Sequence, residues 1–269
     1  TMEPWYMESV WWVFNQLWEK GLIYRGEKIV PFSTALGTVL SNFEAGSNYQ
    51  DTQDPSVTVL FKLQDEDTYI AAWTTTPWTL PSNLALCVGD HIEYTKILDE
   101  ESQKHIIIAT QRLETLSASK PFSVVSSFPG KDLVGMRYES LFPYFESKRD
   151  QGAFQIVSDE YVSTESGTGI VHQAPAFGED DFRILNAAGI SAMACPIDMQ
   201  GRFTDEVPDF QGLHVKEADK QIIRHLKQTG RLYMQDVIVH SYPFCPRSDT
   251  PLIYRAIDSW YVHVEKMRD

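Results

Sequence analysis

Hydrophobic positions along the chain fall into short strand-like runs and three longer stretches with helical spacing. The clearest helical stretch covers residues 3–20, where apolar side chains recur three and four positions apart until Gly21 ends the run. Residues 176–188 and 215–229 carry similar spacing and predict two more helices. Other runs, rich in β-branched and aromatic residues and bounded by turn residues, predict strands at 56–63, 68–73, 92–98, 105–109, 122–125, 154–157 and 169–171.

This order of elements favours the α+β class, with a mixed or barrel-like sheet flanked by helices. Residues 22–45 lack a clear period and predict an irregular, hairpin-like arm after the first helix. The Trp and Phe residues of that helix are typical of core packing or of packing against another domain. No internal repeat, GxGxxG sequence or P-loop sequence occurs.

One polar run interrupts the strand pattern, the sequence WTTTPWTLPSN at residues 73–83. It follows a predicted strand and contains prolines that restrict the backbone, and its threonines are stiff at χ1. A rigid wall of hydroxyls and methyl groups would suit a pocket that selects a small molecule by size. The alternative is an ordinary threonine-rich strand end, since threonine is common in strands. The candidate residues here are Thr74, Thr75, Thr76, Thr79 and Asn83.

A second run, GTGIVHQAPAFGEDD at residues 167–181, places His172 on a short strand and three acids at the start of a helix. Acids in a first helical turn are stabilised by the helix dipole, which explains any one of them without a function. The same carboxylates could instead bind an ammonium group. His172 could likewise be a packed strand residue or part of a site. No Cys or His lies at metal-ligand spacing near it.

The formal net charge of −14, from 37 acidic and 23 basic residues, is not that of a general nucleic-acid binder. One basic stripe stands out on the predicted helix at 214–230. The residues of this stripe follow helical spacing. They could contact phosphates, or they could form an ordinary solvent-exposed face of the helix. They are Lys216, Lys220, Arg224 and Lys227, opposite the apolar Ala218, Ile222, Ile223 and Leu226.

Three cysteines, Cys87, Cys195 and Cys245, are widely spaced and match neither a zinc site nor a disulfide framework, which indicates a reducing compartment. We predict no metal in this domain. No apolar run approaches the roughly 20 residues of a membrane span, and no signal-peptide pattern opens the sequence. The chain begins with Thr, which suggests a fragment of a longer protein.

Together, the two polar runs resemble the editing domain (CP1) of isoleucyl-tRNA synthetase, a class I enzyme. The resemblance covers essentially the whole chain. Valyl and leucyl relatives typically carry TTRP where this sequence has TTTP, so Thr76 replaces an arginine and the isoleucyl branch is favoured. Pro246 and Asp258 depart from the family's return segment and suggest a divergent, eukaryotic cytosolic lineage. HIGH-type and KMSKS-type signatures do not occur, so by resemblance the synthetic site, with its ATP and Mg, lies outside this fragment.

The resemblance implies a distorted β-barrel flanked by helices that hydrolyses valine mischarged on tRNA(Ile), and possibly valyl-adenylate. A hydrophobic pocket separates ligands that differ by one methylene by only about 1–3 kcal/mol, and this enzyme family is itself an example of that limit. A second site would therefore exclude isoleucine by size. By resemblance, Thr76, Thr79 and His172 would form its wall, Asp181 would bind the α-ammonium group, and Thr76 and Asn83 would contact substrate or water. The predicted catalytic residues are Thr76, His172 and Asp181, and a shaping role for His172 is favoured over that of a general base. The predicted substrate-binding residues are Thr74, Thr75, Thr76, Thr79, Asn83, His172 and Asp181.

The implied domain division is a connecting helix and arm at 1–45, the editing domain at 46–239 and a return segment at 240–269. The expected partners are the 3′ end of tRNA(Ile) carrying valine and the rest of the synthetase chain, with no membrane and a monomeric fragment. No cofactor is expected, and the expected location is the cytoplasm. Two alternatives stay open: a non-catalytic module that positions the tRNA acceptor end, and the editing domain of a valyl or leucyl synthetase. A metal or nucleophilic hydrolase is disfavoured, because no GxSxG sequence or ligand cluster occurs.

Overall fold

The computed structural model of the chain describes residues 1–117 and 120–268. Its helices are α1 (Pro4–Glu19), α2 (Asn42–Ala45), α3 (Leu113–Ser117), α4 (Glu179–Ala187) and α5 (Val215–Gln228). Its strands are β1 (Ile23–Ser33), β2 (Thr38–Val39), β3 (Tyr49–Lys62), β4 (Thr68–Thr74), β5 (Ala85–Val88), β6 (Glu93–Asp99), β7 (His105–Ala109), β8 (Phe122–Pro129), β9 (Gln155–Ser158), β10 (Ile170–Gln173), β11 (Leu232–Pro243) and β12 (Ile253–Val262). Short 3₁₀ helices connect several of them, at Pro77–Ser82, Thr110–Arg112, Gly130–Asp132, Pro143–Gln151, Pro208–Phe210 and Val264–Met267.

Three sheets organise these strands, and two of them are mixed. The largest has the order β11–β3–β4–β7–β6–β8, in which only β4 and β7 are parallel. The second, β10–β5–β9, is antiparallel at β10 and parallel at β9. The predicted mixed sheet is thus confirmed. Within residues 1–117 and 120–268 the strands do not close into a barrel, because the sheets pack around a shared core without joining.

The arm agrees only in part with the sequence-based prediction. Residues 22–45 contain a short antiparallel hairpin, in which two residues of β1 pair with β2, but β1 also pairs along ten residues with β12. The arm is therefore a long antiparallel ribbon between the two ends of the chain. The proposed domain boundary at 239/240 falls inside β11, whose pairing with β3 continues to Pro243. The domain division stays a prediction.

Helix α1 lies outside the core. None of its residues is buried, and Trp5 and Trp11 are each about two-thirds exposed. Its contacts include edge-to-face packing of Phe14 and Trp18 against Trp260 of β12, at centroid distances of 6.3 and 5.7 Å. The core-packing alternative is therefore wrong for this helix, and packing against another domain stays a prediction.

Candidate functional site

The threonine run lies where β4 ends and the 3₁₀ helix Pro77–Ser82 begins. Pro77 occupies the first helical turn, where its fixed φ and missing N–H are tolerated. The side chain of Thr74 accepts a hydrogen bond from the Thr76 amide at 3.1 Å, and the Thr79 hydroxyl donates to the Thr76 carbonyl at 2.9 Å. The threonine side chains therefore bind their own backbone and give the turn a single shape.

The second motif contributes a strand and the start of a helix, and both lie close to the threonine turn. Strand β10 carries His172, and α4 begins at Glu179 after Gly178. Asp181 turns back from the first turn of α4, and its Oδ2 accepts the Ala174 amide at 2.8 Å. An edge-to-face contact between Trp78 and Phe177, with centroids 4.9 Å apart, packs the two motifs against each other.

One cavity of about 360 Å³ brings the two motifs together. Of the predicted substrate-binding residues, all but Asn83 line it: Thr74, Thr75, Thr76, Thr79, His172 and Asp181. Glu179 and Asp180 are exposed and do not line the cavity, and Asp180 pairs with Arg183 at 3.1 Å. The structure thus singles out Asp181 from the three neighbouring acids.

Asn83 lies behind His172 instead of facing the cavity. It is 4% exposed, its Oδ1 accepts the Tyr138 hydroxyl at 2.7 Å, and its amide donates to the Ala85 carbonyl at 2.9 Å. The same amide lies 3.4 Å from His172 Nδ1. The prediction that Asn83 contacts substrate or water does not fit this position. Its side chain orients the imidazole ring.

Hydrogen-bond partners engage both ring nitrogens of His172. Nε2 lies 2.8 Å from the Thr79 hydroxyl, and Nδ1 lies 3.4 Å from the Asn83 amide nitrogen. When the Thr79 hydroxyl donates to the Thr76 carbonyl, it accepts from His172, so that Nε2 carries the hydrogen and Nδ1 accepts from Asn83. Burial lowers the pKa of His172 to about 4, so the ring is neutral at physiological pH.

Asp181 is the titratable group whose charge faces the cavity. Burial raises its pKa to about 6, the nearby charge of Asp180 adds to that rise, and the Ala174 amide opposes it. Near neutral pH the group is a carboxylate that would gain from a cationic partner. Its environment therefore fits the binding of an ammonium group.

Two further residues at the site carried no signal in the sequence. Tyr138, which is fully buried and holds Asn83, lies 55 positions away from it along the chain. Tyr161 lines the cavity, and its hydroxyl accepts from Gln173 at 2.7 Å. Only the fold brings these aromatic residues to the site.

The loop at residues 163–169 closes one side of the cavity. Its position is fixed by hydrogen bonds that other residues donate to its backbone carbonyls. Arg112 Nε donates to the Gly167 carbonyl at 2.9 Å, the Ala109 amide to that of Thr168 at 3.0 Å, and the Tyr94 hydroxyl to that of Gly169 at 2.7 Å. Gly169 has φ +73°, and a Cβ there would come within 2.4 Å of the Ala109 methyl. The second glycine of the GTG sequence is therefore required by both conformation and space.

The basic stripe of α5 divides into two parts. Lys216 binds Asp54, with Nζ 3.1 Å from Oδ1, and lies over the ring of Tyr242. Lys220, Arg224 and Lys227 are exposed. The predicted opposite face is confirmed as buried. An external anion could therefore reach only the last three cations without breaking an internal ion pair.

Within residues 1–117 and 120–268, no group of three or more His, Cys, Asp or Glu side chains is placed to hold a metal ion. Over the same residues, no helix is both long enough and apolar enough to cross a membrane.

Comparison with known proteins places the chain in a family. The model of class I tRNA synthetases (I, L, M and V) matches residues 1–269. The isoleucine--tRNA ligase of Bdellovibrio bacteriovorus is 56% identical over all of this chain, which covers 26% of that protein. The cytoplasmic isoleucine--tRNA ligase of Mus musculus is 54% identical over all of this chain, which covers 22% of it. These two identities do not separate a bacterial from a eukaryotic lineage, and the chain spans about a quarter of its relatives' length.

Solved structures give the fold. The crystal structure of GlLeuRS-CP1 superposes with a TM-score of 0.54 at 14% identity, over 67% of this chain and 99% of that one. The editing domain of the P. knowlesi cytosolic leucyl-tRNA synthetase gives 0.52 at 11% identity, over 70% of this chain and 96% of that one. With the full-length match to isoleucine--tRNA ligases, these findings show that the chain belongs to the class I tRNA synthetases and has the fold of their CP1 editing domain.

Proposed function

We propose that this domain hydrolyses the ester of valine mischarged on tRNA(Ile) and excludes isoleucine by size. The observation that carries the proposal is the cavity that joins the threonine turn, His172 and Asp181. It combines a site for a cation with a rigid wall of small side chains, which are the two features that a free α-amino group and a short aliphatic side chain require. Valyl-adenylate carries the same aminoacyl group and is a second possible substrate of the site.

In this proposal Asp181 binds the α-ammonium group, and Thr79 and His172 form the wall that isoleucine would strike. Thr74, Thr75 and Thr76 supply hydroxyl groups for the ester or for water. A water oxygen attacks the carbonyl carbon, the bond to the ribose oxygen breaks, and that oxygen leaves with a proton. We assign His172 to the wall and not to the role of base, because Thr79 and Asn83 already engage both of its ring nitrogens. The neighbouring ribose hydroxyl of the terminal nucleotide can assist the water, and orientation supplies much of the rate.

The other expectations follow from this assignment. The partners are the charged 3′ end of tRNA(Ile) and the remainder of the synthetase chain, and the domain acts as a monomer with no cofactor of its own. ATP and Mg serve the synthetic site elsewhere in the longer enzyme. A cytoplasmic location agrees with the names of the mouse and yeast relatives, which are both called cytoplasmic isoleucine--tRNA ligases.

Hydrolysis of Val-tRNA(Ile) by the full-length ligase that contains this chain tests the proposal. Asp181→Ala leaves a buried cation without a partner, which costs about 2–5 kcal/mol and lowers kcat/KM roughly 30-fold or more. Asp180→Ala, in the same turn but outside the cavity, is the matched control. Activity of Asp181→Ala equal to that of wild type, with folding intact, would reject the assignment. A wild-type enzyme that binds the tRNA end without hydrolysis would instead indicate a positioning module.

A further inference from the structure

A second cavity adjoins the first and has no role in the proposed hydrolysis. It has a volume of about 280 Å³ and shares Trp73 and residues 166–168 with the first cavity. Its floor is one face of the largest sheet, where alternate residues of β11 lie beside β3. Met234 is paired with Thr58 and Asp236 with Ser56, and Thr58 in turn is paired with Trp73 of β4. The opposite side is formed by α3 and by the loop that divides the two cavities.

The charges around this second cavity do not favour a phosphate group inside it. Among the lining residues that the structure describes, the only cation is Arg112, whose guanidinium already donates to the carbonyls of Gly167, Thr164 and Glu165, at 2.9 to 3.4 Å. Two carboxylates, Asp236 and Glu165, lie on the rim and are exposed. The rim would therefore repel an anion and accept hydrogen bonds from a neutral group that carries amino hydrogens.

The walls favour a flat, unsaturated ring. Trp73, Ile108, Tyr233 and Met234 make the cavity mainly apolar, and hydroxyl groups of Ser56, Thr58 and Thr115 lie among them. Unstacked bases of single-stranded nucleic acid bind to such aromatic and apolar surfaces, with hydrogen bonds to their edges. A carboxylate is the side chain that accepts from the exocyclic amino group of cytosine.

We infer that this second cavity binds the cytosine base that precedes the terminal adenosine of the tRNA, while the aminoacylated adenosine occupies the first cavity. The inference rests on the proposed function, because it needs the charged end in the first cavity. All tRNAs end in C–C–A, so this contact provides a grip on the acceptor end that is independent of the amino acid. It gives an acidic domain a way to hold RNA by a base instead of by phosphates.

Three small esters test this with the full-length ligase: valyl-adenosine, which lacks the preceding nucleotide, valyl-CpA and valyl-UpA. We expect the wild-type kcat/KM to be roughly 5- to 100-fold higher for valyl-CpA than for valyl-adenosine. Asp236→Ala should reduce the preference for CpA over UpA. Thr115→Trp, which fills the cavity from an exposed position, should bring the valyl-CpA value down to that of valyl-adenosine. Both variants should hydrolyse valyl-adenosine as wild type does.

Gln235→Ala is the matched control, since Gln235 is exposed, lies between Met234 and Asp236 on β11, and does not line the cavity. Equal wild-type values for valyl-CpA and valyl-adenosine would overturn the inference and leave the proposed function intact. The inference would also be overturned if Asp236→Ala kept the wild-type preference for valyl-CpA over valyl-UpA and Thr115→Trp kept the wild-type preference for valyl-CpA over valyl-adenosine. If the wild-type ligase hydrolyses neither these esters nor Val-tRNA(Ile), the proposed function fails and this inference fails with it.

Discussion

Thr79 both donates and accepts a hydrogen bond at the wall of the first cavity, so its size and its polarity can be tested separately. Thr79→Ser keeps the hydroxyl that accepts from His172 and removes only a methyl group. In the proposed sieve the side chain of isoleucine clashes with the Thr79 methyl group, and overpacking of this kind costs about 1–3 kcal/mol. Removal of the methyl group should therefore raise hydrolysis of Ile-tRNA(Ile) roughly 5- to 100-fold. Hydrolysis of Val-tRNA(Ile) should change little. Steady-state deacylation of both tRNAs by the full-length ligase measures this.

Thr79→Val is the control for that substitution, because it keeps the volume and loses the hydroxyl. It should not admit isoleucine, although it leaves the His172 N–H without its acceptor. His172→Ala should admit isoleucine as Thr79→Ser does. Equal losses of Val and Ile hydrolysis in all three variants would mean that the wall is not a sieve and that these residues position water or ribose.

Asp181 predicts the pH dependence of the reaction. Its pKa is raised to about 6, and only the carboxylate binds an ammonium group. As pH falls through 6 the group takes up a proton, so kcat/KM for Val-tRNA(Ile) should fall with it. The Asp181→Asn variant should hydrolyse Val-tRNA(Ile) slowly, and its kcat/KM should no longer fall as the pH passes through 6. His172→Gln should retain this inflection, because the pKa of His172 is lowered to about 4 and the ring does not titrate in that range. Loss of the inflection in His172→Gln alone would contradict this account.

At the scale of elements, the sequence predicts regular, well-bounded runs and misses strands that depend on distant partners. Each predicted strand overlaps an observed one, because β-branched runs between turn residues are a local signal. Strand β5 is only four residues long and wholly buried, so it shows no alternation. Strands β1 and β12 owe their regularity to each other across more than 200 positions. Pairing between strands so far apart along the chain leaves no pattern in the local sequence.

The same limit applies to the site. Thr79 and Asp181 are recognisable because each lies in a short run of unusual composition. The role of Asn83 was predicted wrongly because its direction depends on Tyr138, which pattern alone does not place nearby. Burial of one residue behind another is a property of packing. A motif therefore predicts which segments meet, and the fold decides which of their side chains face the cavity.

The exposed cations of helix α5 allow a test of tRNA contact. If its exposed cations meet phosphates, Lys220→Glu with Lys227→Glu should weaken tRNA binding and lower the salt slope, by roughly one for each lost contact. Lys216 should not be reversed, because it neutralises Asp54 inside the fold. Lys131→Glu, at an exposed site elsewhere, controls for net charge. Filter binding or fluorescence titration at several salt concentrations measures the slope. An unchanged slope would leave the stripe as a solvated face.

At the scale of the whole molecule, the net charge of −14 and the acidic rim of the second cavity keep the domain from attracting RNA by long-range forces. The chain accounts for about a quarter of its relatives' length, so the remainder of the ligase would supply most of the affinity for the tRNA body. The editing domain then needs only local contacts with the acceptor end. Under the proposed function, this arrangement would let an acidic domain act on a tRNA.

The mechanism proposed here uses only side chains, water and the substrate's own ribose, which leads to a prediction on metal removal. Over the described residues, 1–117 and 120–268, no set of acidic, His or Cys side chains is placed to bind a metal. Hydrolysis of Val-tRNA(Ile) by the full-length ligase should therefore be unchanged by a zinc-selective chelator, with magnesium kept for the tRNA fold. Circular dichroism before and after chelation controls for unfolding. If activity disappears on chelation and returns with added zinc while the fold is unchanged, a metal activates the water and the assignment of roles to Thr76, His172 and Asp181 must be revised.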